Sequence, residues 1–391
     1  MRRRRFIAAA CGAAALPLSA RAADVSMEGW ALPERFSRPD VSTDEGGLWA
    51  MMDREETRIR RSPFLFKEAA LREYLQGLVC KLAQGHCPDV RVYLMRTPFF
   101  NASMAPNGAI QIWSGLLLRV DNEAQLAAVL GHELGHYFQR HSLMRLRDIK
   151  DRAAVASYIG LLGPVGLLGQ LAVFAGAAGF SRDHEREADA IGLSLMRQAG
   201  YDMREASKIW VNLQAELAAS FGGDPSKSNI MFATHPHSKE RSETLARLAE
   251  SSEGGFVGEA ELAKALRGVQ YDLLEDELGR GQYGQSLVLL DRKIAAKPQR
   301  SDFHYFRAEL RRLRAAEGDA QLALNDLQTA INSGQEPPQT YRSLGYLLRK
   351  QDGAGAREAF AKYLERLPQA PDAGLIRSYL EPIDAKDKET S

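Results

Sequence analysis

The sequence predicts an α+β protein that is mostly helical, with a small sheet in its first domain and an all-helical repeat region after it. Apolar residues recur at helical spacing over most of the 391 residues, whereas strand-like alternation is confined to residues 90–113. From about residue 260 the helical pattern becomes repetitive. The 51 basic and 50 acidic residues nearly cancel, so we expect no nucleic-acid partner.

The first residues have the pattern of an export signal. A basic stretch at residues 2–5 precedes an apolar stretch too short to span a membrane, and Ala20-Arg21-Ala22 is a small-residue cleavage pattern. We therefore expect residues 1–22 to be a signal peptide and the mature protein to be periplasmic. Residues 3–7 loosely resemble a twin-arginine signal, so the Sec and twin-arginine routes both stay open.

The segments that follow the signal predict an exposed arm, helices and a small sheet. Residues 23–47 are rich in proline and serine, which predicts an exposed N-terminal arm. Helical spacing then continues over residues 48–82. Three strand-like segments come next, at 90–94, 99–104 and 109–113, with turn residues at 106–108.

Two cysteines remain once the signal is removed. Cys80 and Cys87 would close a short loop in an oxidising compartment, which favours a disulfide bond over two free thiols. A zinc site at this spacing is weakly supported, because no second pair of ligands follows.

A capping box begins the helix that carries the strongest chemical motif. Asn122-Glu123-Ala124-Gln125 can satisfy free backbone N–H groups ahead of an apolar run, and this predicts a helix over residues 123–141. The helix contains His132-Glu133-Leu134-Gly135-His136. Residues four apart share one helix face, so both imidazoles can reach one zinc ion, while Glu133 can approach a bound water.

A third metal ligand is expected from an acidic helix that starts near Ser181. Its candidates are Glu185, Glu187 and Asp189. Glu185 and Asp189 are four residues apart, so one could bind the metal while the other accepts a hydrogen bond from a ligand imidazole. Spacing alone does not choose among the three carboxylates.

Residues 153–180 contain no charged side chain and are long enough to span a bilayer. Several glycines interrupt the segment, and Gly163-Pro164 should break it into two pieces that are each too short to cross. These features favour a helical hairpin that is buried or lines a groove. Peripheral contact with a membrane is the alternative.

Residues 260–370 fit a period of about 34 residues, typical of tetratricopeptide-like repeats. The matching positions in the last unit are Tyr341, Leu344, Gly345, Leu348, Ala356, Phe360, Tyr363 and Pro368. In the first unit Ser286, Leu290 and Pro298 match the second helix. Such repeats stack helix pairs around a concave surface for a peptide or protein. A generic helical bundle is the alternative, and residues 371–391 are expected to form a C-terminal tail.

Together the motifs resemble the zinc peptidase family that includes HtpX and the CAAX prenyl protease. The resemblance covers about residues 48–248 and rests on the His132 to His136 motif, the pair Glu185 and Asp189, and the segment Thr234-His235-Pro236 with Arg241. It implies a zincin-type (gluzincin) metallopeptidase domain over residues 48–255.

The resemblance also implies roles for individual residues. His132, His136 and Glu185 would bind one Zn²⁺ per chain, with Glu133 as general base and Asp189 orienting a ligand. The further positions that resemble functional residues of the family are His235 and Arg241 near the metal and Asn101, Ala102 and Gly108 on an edge strand that takes substrate. The simpler alternatives are a capping role for His235 and a surface ion pair for Arg241.

Taken with the export signal and the repeats, the resemblance to this peptidase family implies a zinc endopeptidase of the cell envelope. Its substrates would be unfolded or misassembled envelope proteins, and its repeats would contact the outer-membrane assembly machinery. The alternative is a periplasmic chaperone or scaffold that binds clients through the repeats and has a repressed or vestigial zinc site. The sequence leaves open whether His235, as a fourth ligand, inhibits the site.

Overall fold

The computed structural model describes residues 30–160, 180–220, 235 and 239–380, with the side chains of 154–160 left out. The predicted signal peptide at 1–22 lies outside the described residues. So do residues 161–179, the greater part of the predicted hairpin at 153–180, and residues 381–391 of the predicted tail.

The N-terminal segment packs more closely than its composition predicts. Helix α1 spans Asp44–Arg60, so it begins inside the segment expected to be an exposed arm at 23–47. Before it, Trp30 lies 6.1 Å from Phe138 between ring centroids and Phe36 lies 5.1 Å from Tyr137. The expectation of an exposed arm is therefore wrong for these two residues, because large aromatic rings gain stability by leaving water.

The predicted helical stretch at 48–82 is two helices. After α1, helix α2 spans Ala69–Ala83 and buries a face of leucines, and a 3₁₀ turn follows at Gln84–Asp89. Cys80 in α2 and Cys87 in the turn are bonded, so the predicted disulfide is confirmed.

The small sheet has three strands in the order β1-β3-β2. The strands are β1 Arg91–Met95, β2 Ala102–Met104 and β3 Ala109–Trp113. Strand β1 runs parallel to β3, with Val92 opposite Ile110, and β2 runs antiparallel to β3, with Ser103 opposite Gln111. The predicted sheet is confirmed, and β2 is its edge strand on the side of the active-site motif.

Helix α3 (Ser114–Arg119) and helix α4 (Glu123–Phe138) follow the sheet. The Asn122 side chain accepts the N–H of Gln125 at 2.8 Å, as the capping box predicts, while the Gln125 side chain accepts from Asp121 rather than from Asn122. Every residue of α4 is buried, so it is the central core helix.

The next four helices complete the first domain around α4. They are α5 His141–Gly160, α6 Arg182–Gln198, α7 Glu205–Ala218 and, after the residues around His235, α8 Lys239–Ala249. Helix α4 ends at Phe138 and not at the predicted residue 141, because Arg140 takes a left-handed conformation with φ of 55° before α5 begins.

Residues 260–370 are helical, as predicted, with short loops between successive helices. The helices are α9 Glu259–Leu266, α10 Gln270–Gly279, α11 Tyr283–Ala296, α12 Ser301–Arg314, α13 Asp319–Asn332, α14 Gln339–Leu348, α15 Gly353–Arg366 and α16 Ala373–Ser378. Their membership of the tetratricopeptide class stays a prediction. Among the described helices, none has both the length and the apolar character needed to cross a membrane.

The helical region is joined to the first domain by a buried network of charges. Arg119 of α3 is almost fully buried between Glu216 of α7 at 2.7 Å and Glu277 of α10 at 2.9 Å. Arg292 of α11 contacts Glu216 from the other side at 3.1 Å. Because three elements meet at one buried guanidinium, their relative positions are tightly constrained.

Candidate metal centre and active site

Glycines bring the two motif helices together. A Cβ on Gly135 of α4 would lie 2.9 Å from the Cα of Ala188 in α6, and a Cβ on Gly192 would lie 2.9 Å from the backbone nitrogen of His132. The helices therefore touch backbone to backbone over more than one turn. This close approach places the histidines of α4 opposite the carboxylates at the start of α6.

Four buried side chains converge at this crossing: His132, His136, Glu185 and His235. One donor atom from each lies within 4.8 Å of the others. Nε2 of His136 is 3.1 Å from Nε2 of His132, and Nδ1 of His235 is 3.3 Å from that same atom. Glu185 closes the group, with Oε1 at 3.0 Å from His235 and 3.4 Å from His136.

This donor set fits a divalent metal of the size of zinc. A tetrahedral zinc site with bonds of about 2.0–2.1 Å has neighbouring ligand atoms about 3.3 Å apart. Five of the six pairs among these four residues have donor atoms 3.0 to 3.5 Å apart. Imidazole nitrogens and one carboxylate are also ligands that zinc takes in proteins. A buried cluster of this kind without a cation would place several lone pairs face to face.

Asp189 and Arg241 form a second layer around the donors. Asp189 Oδ1 lies 2.9 Å from Nδ1 of His132, on the opposite side of that ring from the cluster. Arg241 donates to both oxygens of Asp189, at 2.7 and 2.8 Å, and to Oε2 of Glu185 at 2.8 Å. The Arg241 charge lowers the pKa of Asp189 against the opposing effect of burial. This arrangement holds the His132 ring and the Glu185 carboxylate in place.

Glu133 lies beside the donor cluster rather than in it. Its Oε2 accepts the backbone N–H of Met104 on the edge strand at 3.2 Å. Its Oε1 has no hydrogen-bond partner among the residues that the structure describes, and lies 3.6 Å from Nε2 of His235. Burial raises the pKa of Glu133 above its ordinary value, although the neighbouring His235 and His132 act in the other direction. A carboxylate with one bare oxygen next to a metal site can take a proton from water.

The three residues predicted to lie on the edge strand do not all lie there. Ala102 lies on β2, and Asn101 precedes it with a buried side chain. Gly108 is in the turn before β3, where its backbone oxygen accepts from Arg91 of β1 and its φ is 86°. A Cβ there would lie 2.1 Å from the Asp89 oxygen. Gly108 therefore lies away from the free edge of β2, and its role is to allow a tight turn.

Several site residues carry no sequence signal that distinguishes them. Phe180 stacks on the ring of His136 at 4.2 Å, and Trp210 of α7 lies under the Arg241 guanidinium at 4.7 Å. His141 is fully buried, with Nδ1 at 2.9 Å from Nδ1 of His136. Only the position of His141 five residues after His136 could have drawn attention to it.

Comparison with known proteins identifies the class of domain that this site belongs to. Residues 66–249 match the family described as Peptidase family M48. These residues contain the whole donor cluster, Glu133 and Arg241. Residues 66–249 thus resemble an M48 metallopeptidase domain, in agreement with the resemblance carried by the motifs.

Among individual proteins, the domain resembles the beta-barrel assembly-enhancing proteases. The chain is 29% identical to that of Yersinia pestis over 228 residues, which are 52% of this chain and 46% of the relative. It is 26% identical to that of Escherichia coli K12 over 331 residues, 76% of this chain and 66% of the relative. The Mitochondrial metalloendopeptidase OMA1 of Schizosaccharomyces pombe is 36% identical over 155 residues, 38% of this chain and 44% of that protein. The chain thus spans about half to two thirds of the length of the first two relatives.

Proposed function

We propose that the protein is a zinc endopeptidase of the bacterial cell envelope that degrades misfolded or misassembled proteins, including outer-membrane proteins. The observation that carries the proposal is the bare Oε1 of Glu133 beside four converging metal donors. A site with metal donors alone would serve structure, whereas a buried general base next to them serves hydrolysis.

The ligands of the proposed zinc ion are His132, His136 and Glu185. Zinc held there would supply the positive charge that polarises a scissile carbonyl and makes a nearby water more acidic. Glu133 accepts the proton of the attacking water at Oε1 and donates it to the leaving amine. Met104 fixes the carboxylate through its N–H, so the bare oxygen stays directed at the site.

His235 would be a fourth protein ligand of the zinc ion, and a site with all four ligands in place would be in an inactive resting state. Zinc sites with four protein ligands are typically structural, and catalytic sites keep one position open. With Nδ1 at 3.3 Å from Nε2 of His132, the His235 ring occupies the space that the water needs. We infer that His235 must move away before a substrate is cleaved.

Substrate would bind as an extended chain along β2. Alternate residues of β2 pair with β3, so the N–H and C=O groups of Ala102 and the C=O group of Met104 face outwards along the free edge, while the N–H of Met104 already donates to Glu133. A peptide added to this edge would gain backbone hydrogen bonds independent of its sequence. This mode selects for unfolded chains, because folded proteins rarely present a free extended segment.

The helices of residues 260–370 offer a groove for envelope clients or for the outer-membrane assembly machinery. A cavity of about 640 Å³ is lined by the aromatic rings of Tyr271, Tyr305, Phe306 and Tyr363. Arg342 lies at the same cavity and is paired with Asp372 at 2.9 Å. The aromatic walls suit the apolar side chains of an unfolded protein, and the charged residues Glu275, Glu309, Arg342 and Asp372 also line the cavity.

The experiment uses the chain after residue 22 loaded with zinc, the Glu133→Gln variant, and unfolded casein. We expect cleavage by the wild type, and loss of cleavage in the variant and in the presence of a chelator. The variant keeps all four donors, so it should bind the same amount of zinc. Absence of cleavage by wild type, by His235→Ala and by Glu133→Gln alike, with zinc bound in each, would favour a scaffold.

A further inference from the structure

The second nitrogen of His136 has an unusual partner. Nε2 of this ring faces the donor cluster, while Nδ1 lies 2.9 Å from Nδ1 of His141. The outer nitrogen of a ligand histidine normally donates to a carboxylate, a backbone carbonyl or a water. Here another imidazole takes that position, and it is fully buried.

A break in the helix makes this contact available. On one continuous helix, residues five apart are separated by about 140° around the axis, so His141 would point away from His136. Helix α4 ends at Phe138 instead, and the left-handed conformation of Arg140 reverses the chain before α5 begins at His141. The turn brings the His141 ring back beside His136.

Counting hydrogens determines which nitrogen donates. If Nε2 of His136 binds a metal, the hydrogen of that ring is on Nδ1. Two nitrogens 2.9 Å apart can share only one hydrogen, so Nδ1 of His141 must be bare and accept it. The hydrogen of His141 must then be on its Nε2.

Glu187 lies where that hydrogen points. Its Oε2 is 3.2 Å from Nε2 of His141, and its side chain is 41% exposed. A carboxylate accepts hydrogen bonds but does not donate them, so Glu187 favours the form of His141 with its hydrogen on Nε2. Through His141, Glu187 thus favours the form of His136 that has its hydrogen on Nδ1.

Aromatic contacts hold the His136 and His141 rings in place. His184 stacks on His141 at 4.2 Å between centroids with planes 20° apart, and Phe180 stacks on His136 at 4.2 Å. His184 lies in the first turn of α6, and Phe180 lies two residues before that helix. The same turn of chain therefore supplies the metal donor Glu185, the stacking rings and the Glu187 carboxylate.

We propose that Glu187 and His141 are positioning residues: they keep the hydrogen of His136 on Nδ1, and so direct its Nε2 at the metal. The proposal rests on the proposed zinc site, since it gives His136 a metal to face. It assigns the two histidine ligands different supports: His132 is held directly by Asp189, which Arg241 fixes in turn, and His136 is held through a neutral imidazole.

The test compares zinc affinity in Glu187→Ala, Glu187→Gln and the wild type by competition with a chromophoric chelator. We expect Glu187→Ala to weaken zinc binding about tenfold, at the lower end of the range for lost outer partners. Glu187→Gln should be close to wild type, because its amide oxygen can still accept from His141. Asp183→Ala is the matched control on the same helix: its side chain is 88% exposed and pairs with Arg186.

A second readout separates positioning from general stability. Nitrogen-15 spectra of the zinc-loaded wild type should place the His141 hydrogen on Nε2, and unfolding of the metal-free variants should match that of the wild type. A hydrogen on Nδ1 of His141, equal zinc affinity of Glu187→Ala and wild type, or no zinc binding by the wild type would each overturn the inference. If Glu187→Ala weakens zinc binding but the wild type does not cleave casein, only the proposed function would be overturned.

Discussion

The backbone of Gly135 lies against that of Ala188, so closely that a Cβ on the glycine would sit 2.9 Å from the alanine Cα. This contact joins the helix that carries two metal donors to the helix that carries the third. The separation between His136 and Glu185 is therefore set by a position with no side chain. Gly135, inside the motif from His132 to His136, thus contributes to the site because it has no side chain to keep the two helices apart.

Gly135→Ala should damage both stability and metal binding. The added methyl group meets backbone atoms that cannot rotate away, so we expect a loss of about 1–3 kcal/mol in the free energy of unfolding and weaker zinc binding. Urea unfolding and chelator competition would measure the two effects. Gly77→Ala in α2 is the control, because a Cβ there meets nothing within 4 Å. It should gain about 0.5–1 kcal/mol from helix propensity.

Arg241→Met should be strongly destabilising in the metal-free protein. It leaves the buried carboxylates of Asp189 and Glu185 without their shared cation, which costs about 3–5 kcal/mol. Zinc should restore part of the loss by supplying positive charge. Arg186→Met, at a guanidinium that pairs with exposed carboxylates, should change stability by less than about 1 kcal/mol. Equal effects of the two substitutions would contradict the role given to Arg241.

His235→Ala should cleave casein several-fold faster than the wild type. The substitution opens the fourth position of the site while His132, His136 and Glu185 still bind zinc. Initial rates at saturating zinc would measure this gain. The double variant Glu133→Gln with His235→Ala should be inactive, which rules out a contaminating protease. A slower single variant would show that His235 assists the reaction and does not block it.

Arg119→Met should uncouple the helical region from the first domain. Glu216 and Glu277 would then lie buried without their shared partner, at an expected cost of about 3–5 kcal/mol. Differential scanning calorimetry should show a lower midpoint or two separate transitions. Arg58→Met is the matched control: Arg58 pairs with Glu55, both side chains are well exposed, and the pair should contribute less than about 1 kcal/mol.

Glu56 should make stability depend on pH in the acid range. Its buried carboxylate accepts from Arg91 twice at 2.7 Å and from Tyr93 at 2.6 Å, and the Arg91 bond above all lowers its pKa to about 2 from 4.5. A carboxyl group with a lowered pKa stabilises the fold above its unfolded-state pKa, and this is lost as the pH falls from about 4.5 towards 2.

The measurement is the urea midpoint of Glu56→Gln and wild type at pH 7, 4 and 3. The variant should be less stable by about 1–3 kcal/mol at pH 7, and the difference should shrink as the pH falls. Glu55→Gln, at the exposed neighbouring position, should stay close to wild type throughout. A difference between Glu56→Gln and wild type that is constant with pH would show that lost packing, and not charge, is responsible.

Local pattern was enough to predict much of this molecule. The capping residue Asn122, the periodicity of α4, the strands β1 to β3 and the bond between Cys80 and Cys87 depend on neighbours within a few residues, and all were predicted. The break at Arg140 was missed, since a non-glycine residue with positive φ has no clear sequence signal. The partial burial of Trp30 and Phe36 was missed because it depends on a distant helix.

The sequence by itself determined that His132 and His136 share one helix face with Glu133 beside them, because helical spacing is a local property of the chain. Spacing left the roles of three carboxylates open, and the resemblance implied roles for Glu185 and Asp189. Only the tertiary structure decided which neighbour each one meets: Glu185 joins the donors, Asp189 contacts His132 and Arg241, and Glu187 faces His141. The physical reason is that one turn of helix directs side chains to different sides, and the neighbour each one meets is set by how closely α4 and α6 pack.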